Sequence, residues 1–182
     1  MKKMNKIIVA VLSVTMLFGA TLTANAASTE VLIEVKETAM DDVSVTVPTT
    51  IPIVFNENGT NTLPSNWTIE NKSSIAGIHL SKVEMNAGES GWKLLGPAED
   101  TTILSADTKA MQFFMGREGD LRLVEPLDGT EGPEGVLEFN NMEISIMAGL
   151  TETISFEVCR GAFTESQASA KAFDMILTFN FD

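Results

Sequence analysis

The chain has very few of the residues from which disulfides and common active sites are built. Its 182 residues include one cysteine, one histidine and no tyrosine. A lone cysteine excludes an internal disulfide, so the fold has to be held together by its apolar core. The sequence also lacks any signature of a catalytic nucleophile, which makes a hydrolase or a cysteine protease the least favoured function. We therefore predict a protein that is not an enzyme and that binds no cofactor and no metal.

Basic residues are scarce as well, with 12 Lys and Arg against 25 Asp and Glu. Lys2, Lys3 and Lys6 precede an apolar stretch over 7–20, and the small residues of Ala24-Asn25-Ala26 follow it. This order is typical of a secretory signal peptide, so we predict one over 1–27. The apolar stretch is too short to span a bilayer comfortably, and no second one follows. Because no cysteine follows it either, we expect neither a membrane span nor a lipid anchor after cleavage.

Cleavage would leave about 155 residues, the size of one domain, which we place at 28–182. The three lysines leave with the signal, so nine basic residues remain against 25 acidic ones, a net charge of −16. A domain this acidic will not bind nucleic acid or an anionic membrane through its overall charge. The lysine-rich signal and the disulfide-free composition indicate a secreted bacterial protein, with a Gram-positive source as the expectation.

Apolar and polar residues alternate with a period of two along most of the chain, which predicts strands buried on one face. Turn residues separate these segments, and together they predict an all-β, antiparallel sandwich of roughly ten short strands. The alternation slips within 76–85, where we predict a β-bulge. One short helix is predicted over 164–171, and the acidic 125–135 stretch is predicted to be a loop without regular structure. The predicted strands are 31–36, 43–47, 51–55, 67–71, 76–85, 92–95, 111–115, 121–124, 143–146, 153–158 and 173–181.

Two groups of oxygen-bearing residues resemble parts of metal or catalytic sites. The Asn-rich 56–61 segment has some features of a calcium loop but only one carboxylate, and its Asn58-Gly59 pair is a strong hairpin signal, which we favour. The second group could bind a divalent cation weakly or supply a glycosidase pair, but a Gly/Pro loop does not hold two carboxylates at a fixed separation. A solvated acidic loop is the favoured interpretation. The group comprises Asp120, Glu125, Asp128, Glu131 and Glu134.

Cys159 and His79 are the only residues that could form a thiol–imidazole pair. Such a pair needs the histidine within hydrogen-bond reach and a third group to orient it. No local signature surrounds Cys159, so we interpret it as a bystander thiol. Cross-linking of two chains through this cysteine is the minor alternative.

Trp67 and Trp92 are the only tryptophans. Each is either a core residue, which is the default in a domain of this size, or a platform for stacking sugar rings. Both lie next to turn residues, which keeps the surface alternative open. As a tentative binding site we name Trp92, Leu94 and Trp67, with Asn66, Thr68 and Asn71 as hydrogen-bonding neighbours.

The motif Gly91-Trp92-Lys93-Leu94 and the final strand resemble the WxL domain of Gram-positive cell-surface proteins. That family carries one Trp-x-Leu inside the domain and a second, preceded by Thr, in the last strand. Trp92 and Leu94 match the first motif, while Phe179 and Phe181 stand where the second Trp and Leu would be. The resemblance covers about 67–182, and it implies an exported all-β domain that associates non-covalently with the cell wall.

We therefore predict a secreted, non-catalytic protein of the cell surface or cell wall that binds wall or glycan polymers. The alternative is a structural subunit of an extracellular fibre that assembles by strand exchange. In that alternative the segment 28–36, which alternates well and precedes the break at Met40-Asp41-Asp42, would leave its own domain and pair with a neighbour's sheet edge. Taken by itself, the segment is favoured to be the first strand of its own sheet. Partners are thus a wall polymer or glycan, other surface proteins, or further copies of this chain.

Overall fold

The computed structural model describes residues 27–36, 44–56, 60–88, 90–139, 144–164 and 170–181. The predicted signal peptide up to residue 26, the 40–42 break and the Asn58-Gly59 turn lie outside these residues. The described chain is all-β, with a single 3-10 turn at Thr101–Ile103. Its strands are β1 (Ala27–Lys36), β2 (Val45–Thr46), β3 (Thr50–Phe55), β4 (Asn61–Thr62), β5 (Thr68–Asn71), β6 (Ile78–Ala87), β7 (Lys93–Leu95), β8 (Ala110–Arg117), β9 (Asp120–Leu123), β10 (Glu125–Pro126), β11 (Glu131–Gly132), β12 (Glu134–Glu138), β13 (Ser145–Ile146), β14 (Thr151–Thr153), β15 (Ser155–Arg160) and β16 (Ala170–Phe181).

The all-β class predicted from the alternation is confirmed, but the two-turn helix predicted over 164–171 is wrong. Ala170 and Lys171 belong to β16, where they pair with Thr29 and Glu30 of β1. The Ser/Ala/Gln/Lys composition gives this segment only a weak local preference for helix. The backbone hydrogen bonds offered by β1 override that preference at Ala170 and Lys171, while positions 165–169 of the predicted helix lie outside the described residues.

Three sheets contain the described strands. An eight-stranded sheet has the order β10-β12-β6-β16-β1-β3-β4, with β13 also paired to β6. A five-stranded sheet has the order β11-β7-β8-β15, with β9 paired to β8, and a three-stranded sheet has the order β14-β5-β2. Neighbouring strands are antiparallel except for two parallel pairs, β1 with β16 and β7 with β8.

One hydrophobic cluster draws residues from all three sheets. The longest contribution is the inward face of β16, where Phe173, Met175, Leu177 and Phe179 are all buried, as their alternation predicts. Burial of these side chains removes apolar surface from water and is the main favourable term for a chain without disulfides.

The predicted bulge in β6 is confirmed and lies at Ser81. Thr178 of β16 pairs with Lys82, and the next residue, Phe179, pairs with Leu80, so Ser81 has no opposite residue. The Ser81 hydroxyl donates a hydrogen bond of 3.0 Å to the Thr178 carbonyl, and the Ser81 carbonyl accepts one from the Phe139 amide. The extra residue lets Leu80 and Val83 both reach the core although they differ in parity.

The acidic 125–135 stretch, predicted to lack regular structure, instead forms parts of two sheets. Its first strand, β10, pairs with β12 of the eight-stranded sheet, whereas β11 pairs with β7 of the five-stranded sheet. The Lys93 ammonium lies 2.8 Å from the Glu131 carboxylate and fastens β11 to β7. A loop too flexible to fix its carboxylates was expected here, but backbone segments approach one another closely: a Cβ on Gly135 would lie 2.9 Å from the Glu125 carbonyl oxygen, and Gly129, with a positive φ, lies close to Gly96.

A glycine test follows from one of these close approaches. A Cβ atom on Gly96 would lie 2.5 Å from the Gly129 carbonyl oxygen and 3.1 Å from that of Thr130. We expect Gly96→Ala to lower the free energy of unfolding by about 1–3 kcal/mol, because backbone atoms have to separate. Gly132→Ala is the matched control, since its nearest atom is the flexible Asp128 carboxylate at 3.0 Å. Urea denaturation measures both, and equal stabilities would contradict the close-packed loop.

Candidate functional site

Trp67 lies in the core rather than on the surface. Its side chain is 2% exposed, its indole N–H donates a 3.2 Å hydrogen bond to the Thr50 carbonyl, and its ring meets Phe156 edge-on at 5.4 Å. Of its predicted polar neighbours, Asn66 is exposed, but Asn71 is fully buried. Both faces and the polar atom of the indole are therefore committed within the protein.

Trp92 and Leu94, the other two predicted binding residues, are also buried, at 4% and 0% exposure. The Trp92 ring lies 5.3 Å from Phe55 and 5.8 Å from Phe163. Both tryptophans therefore lie in the core, which was the default prediction, and not on the surface. In this conformation no sugar ring can stack on either indole, because stacking requires an uncovered ring face.

Arg160 covers the outer side of this aromatic group. Its guanidinium carbon lies 4.4 Å from the centre of the Phe55 ring and 5.1 Å from that of Phe163, in cation–π geometry. Nε donates a 2.9 Å hydrogen bond to the Asn61 side chain, and Nη1 donates one of 2.7 Å to the Gly161 carbonyl. Burial lowers the pKa of Arg160 from its usual value. The side chain thus anchors the segment after β3 to the end of β15.

The residues matched to the second WxL motif lie on β16. Phe179 is buried at 1% exposure, and Phe181 is partly buried against the same core. Phe181 pairs with Ile78 at one end of the eight-stranded sheet. Both phenylalanines pack against the common core rather than forming an exposed strip.

Cys159 and His79 belong to different sheets, β15 and β6. The Cys159 sulfur lies 3.8 Å from a Glu157 carboxylate oxygen. Burial, and then the charge of Glu157, raise the pKa of the Cys159 thiol above its usual value. A raised pKa keeps the thiol protonated at neutral pH, which is the opposite of what a catalytic nucleophile needs.

Slow alkylation of Cys159 is the expected consequence. At pH 7 we expect iodoacetamide to modify it more slowly than an unstructured cysteine, because a raised pKa lowers the fraction of thiolate. The rate should still be rising with pH at pH 9, and Glu157→Gln should speed the reaction by removing the repelling charge. A rate that reaches its plateau below pH 8 would contradict the raised pKa.

Among the described residues, no cluster of three or more His, Cys, Asp or Glu side chains is arranged to hold a metal ion. The carboxylates of the acidic stretch are spread along β9 to β12, and Glu131 is engaged by Lys93. The described part of the chain also has no helix of the length and apolar character that a bilayer crossing requires.

The first strand is the element with the most unusual position. β1 lies inside the eight-stranded sheet, parallel to β16 on one side and antiparallel to β3 on the other. Val31, at its centre, is fully buried. Without β1, the facing edges of β16 and β3 would lose their hydrogen-bonding partner, and the core beneath Val31 would be open to water. The sheet therefore contains a slot that is filled by the first described segment.

The register defines where the two ends of β1 lie. Lys36 pairs with Thr178, three residues before the Phe181–Ile78 pair that ends the sheet. Ile146 of β13 also pairs with Ile78, so we call this edge of the molecule the Ile78 end. Ala27 pairs with Phe55 toward the opposite end. β1 thus points its last residues toward the Ile78 end.

Asn71 joins two loops at the Ile78 end. Its side-chain amide donates 2.9 Å hydrogen bonds to the carbonyls of Ala76 and Ile146, and its oxygen accepts one from the Ser73 amide. Its backbone amide donates to the Leu150 carbonyl. The loops 71–77 and 147–150 are therefore held side by side by one buried residue, which from sequence had been predicted to face a ligand.

Comparison with known proteins found no matching family model, no matching curated protein and no matching solved structure.

Proposed function

We propose that this chain is an exported, non-catalytic structural protein of the cell surface that acts by associating with other copies of itself. The observation that carries the proposal is the position of β1 in the sheet interior, between β16 and β3. If the signal is cleaved after Ala26 or Ala27, β1 becomes the first element of the mature chain. A terminal strand can leave its slot and enter a neighbour's without threading the rest of the chain through a loop.

The slot makes such an exchange nearly neutral in contact energy, so the protein concentration decides its extent. A donated strand would make backbone hydrogen bonds on both sides and bury Val31, so an exchanged copy recovers every contact made by the closed chain. The domain around the slot we take to be a β-sandwich, with its three sheets packed about one shared core. Self-association by exchange of β1 is the specific role proposed.

Assembly is tested with the purified mature chain, refolded at a series of concentrations and measured by light scattering and electron microscopy. We expect species larger than one chain whose proportion rises with concentration. A chain that carries both Glu30→Cys and Pro52→Cys with Cys159→Ser, oxidised at high dilution so that a disulfide locks β1 in its own slot, should remain monomeric. A mature chain that stays monomeric at every concentration would refute self-association.

Wall or glycan binding is the second candidate, and one observation favours it. Phe163 is only partly buried and lies 5.8 Å from Trp92, so it is the exposed edge of the aromatic group that contains the WxL-like motif. Cell-wall association, as the WxL resemblance implies, would then use Phe163 rather than the tryptophans.

Co-sedimentation with insoluble cell walls tests this candidate. If Phe163 forms the contact, Phe163→Ala should reduce pelleting while the chain stays folded. Phe114→Ala is the matched control, a partly buried phenylalanine on β8 outside the aromatic group. Pelleting that is absent in the parent protein, or equal in all three, would remove this role.

A further inference from the structure

We infer that strand exchange joins two copies through their Ile78 ends in a closed two-fold dimer, rather than in an open chain. The inference rests on the proposed self-association and specifies its partner and its surface. It follows from where β1 leaves its own domain, where it enters the slot, and how many residues connect the two points.

The connection begins and ends at the same edge of the molecule. Lys36, the last residue of β1, lies near the Ile78 end. Ser44 also lies there, because its carbonyl accepts a 2.7 Å hydrogen bond from the Lys72 amide, next to Asn71. The seven residues between Lys36 and Ser44 can span at most about 25 Å. A domain of this size is about 40 Å across, since its radius of gyration is about 15 Å.

This reach decides the geometry of exchange. When β1 of one copy fills the slot of another, its Lys36 lies at the acceptor's Ile78 end while its Ser44 stays at the donor's. The two Ile78 ends therefore have to face one another. In the acceptor, the connection that leads to β1 also lies at the Ile78 end. The nearest slot that this β1 can enter is therefore the slot that the donor has left empty. Reciprocal exchange closes the pair with two-fold symmetry and leaves no free strand to continue a chain.

The surface at the Ile78 end suits contact with a second copy. Three of the exposed large apolar side chains are on its loops, namely Ile75 at 73%, Met147 at 67% and Leu150 at 49% exposure. The loops 71–77 and 147–150 carry one charged residue, Lys72, although 20% of the whole chain is charged. Lys72 itself lies 3.7 Å from the Glu70 carboxylate. In a two-fold contact, the same patch of both copies lies in the interface. Two copies of so acidic a protein therefore repel each other least where that patch carries almost no charge.

Cross-linking between two single-cysteine chains tests the exchange directly. Glu30 of β1 and Pro52 of β3 are opposite each other in the register, and Pro52 is exposed. One mature chain carries Glu30→Cys and the other Pro52→Cys, both with Cys159→Ser. They are mixed in urea, refolded together and oxidised. We expect a mixed disulfide at twice the mass of one chain, and light scattering of the native sample should show no species larger than a dimer. Each chain refolded alone is the control.

Charge substitutions test the surface. Met147→Glu and Ile75→Glu should each raise at least tenfold the concentration at which half of the refolded chains are dimeric, because each places a charge opposite its own copy. Ile103→Glu is the matched control, since Ile103 is 79% exposed on the 3-10 turn. Circular dichroism verifies that all three variants are folded.

The outcomes separate this inference from the proposal beneath it. Absence of any mixed disulfide, with every sample monomeric, would overturn both strand exchange and the dimer. Mixed disulfides found in species larger than a dimer by light scattering would retain exchange and overturn the closed dimer. A dimer that responds equally to Met147→Glu and Ile103→Glu would overturn the Ile78 end as the contact surface.

Discussion

Replacing Trp92 with alanine should lower the free energy of unfolding by about 3–5 kcal/mol, the usual cost of removing a large buried aromatic side chain. The Trp92 ring is 4% exposed and packs against both Phe55 and Phe163, which stack on each other, so the change leaves a cavity beside this pair as well as removing apolar contact. Since single domains are stable by only about 5–15 kcal/mol, much of the margin would be lost. Urea denaturation followed by far-ultraviolet circular dichroism measures the loss.

Trp92→Phe is the control that separates packing from surface chemistry. It retains an aromatic ring of smaller volume and should cost less than half as much as Trp92→Ala. A Trp92→Ala protein with unchanged stability but impaired pelleting with cell walls would instead place Trp92 in a binding surface. That result would contradict the burial observed here.

The second large effect is expected from removing β1. A mature chain without residues 28–36 should lose cooperative unfolding and aggregate, because the edges of β3 and β16 and the core under Val31 become exposed. A synthetic peptide of residues 27–36, added during refolding, should restore a folded complex with a dissociation constant of about 1 μM or below, equivalent to about −8 kcal/mol.

A matched peptide tests whether the slot recognises this strand. The same peptide with Val31→Asp should bind at least a hundredfold more weakly, because a carboxylate would replace a fully buried apolar side chain. Fluorescence titration of the truncated chain measures both affinities. A truncated chain as stable as the parent protein would show that β1 contributes little, and would remove the basis for strand exchange.

Local pattern was enough to predict most of the strands. The inward face of β16 follows from strict alternation of apolar residues, and the bulge at Ser81 follows from the parity change between Leu80 and Val83. In each case, burial of one face of the strand requires an apolar residue at every second position, and this alternation can be seen in the sequence itself. What the alternation leaves open is only which of these strands pair with one another.

Where the sequence-based prediction failed, a distant segment had decided the structure. Ala170 and Lys171 are extended because β1 pairs with them, and nothing near 170 in the chain indicates that partner. The acidic stretch has regular structure because β10 pairs with β12 and β11 pairs with β7. These close approaches of the backbone exist only in the assembled sheets. Burial of Trp67 and Trp92 was the default prediction, but their partners, Phe156 for Trp67 and Phe55 and Phe163 for Trp92, come from other parts of the chain and could not be predicted.

The pairing of β1 with β16 also sets the order of events during folding. These two strands lie at opposite ends of the described chain, so the centre of the largest sheet cannot form until the last residues are available. Contacts between such distant segments have a high cost in loop-closure entropy and make folding slow. A chain with this topology cannot complete its largest sheet until β16 has been synthesised. If the chain is exported, as we propose, it would therefore reach a secretion channel before that sheet has formed.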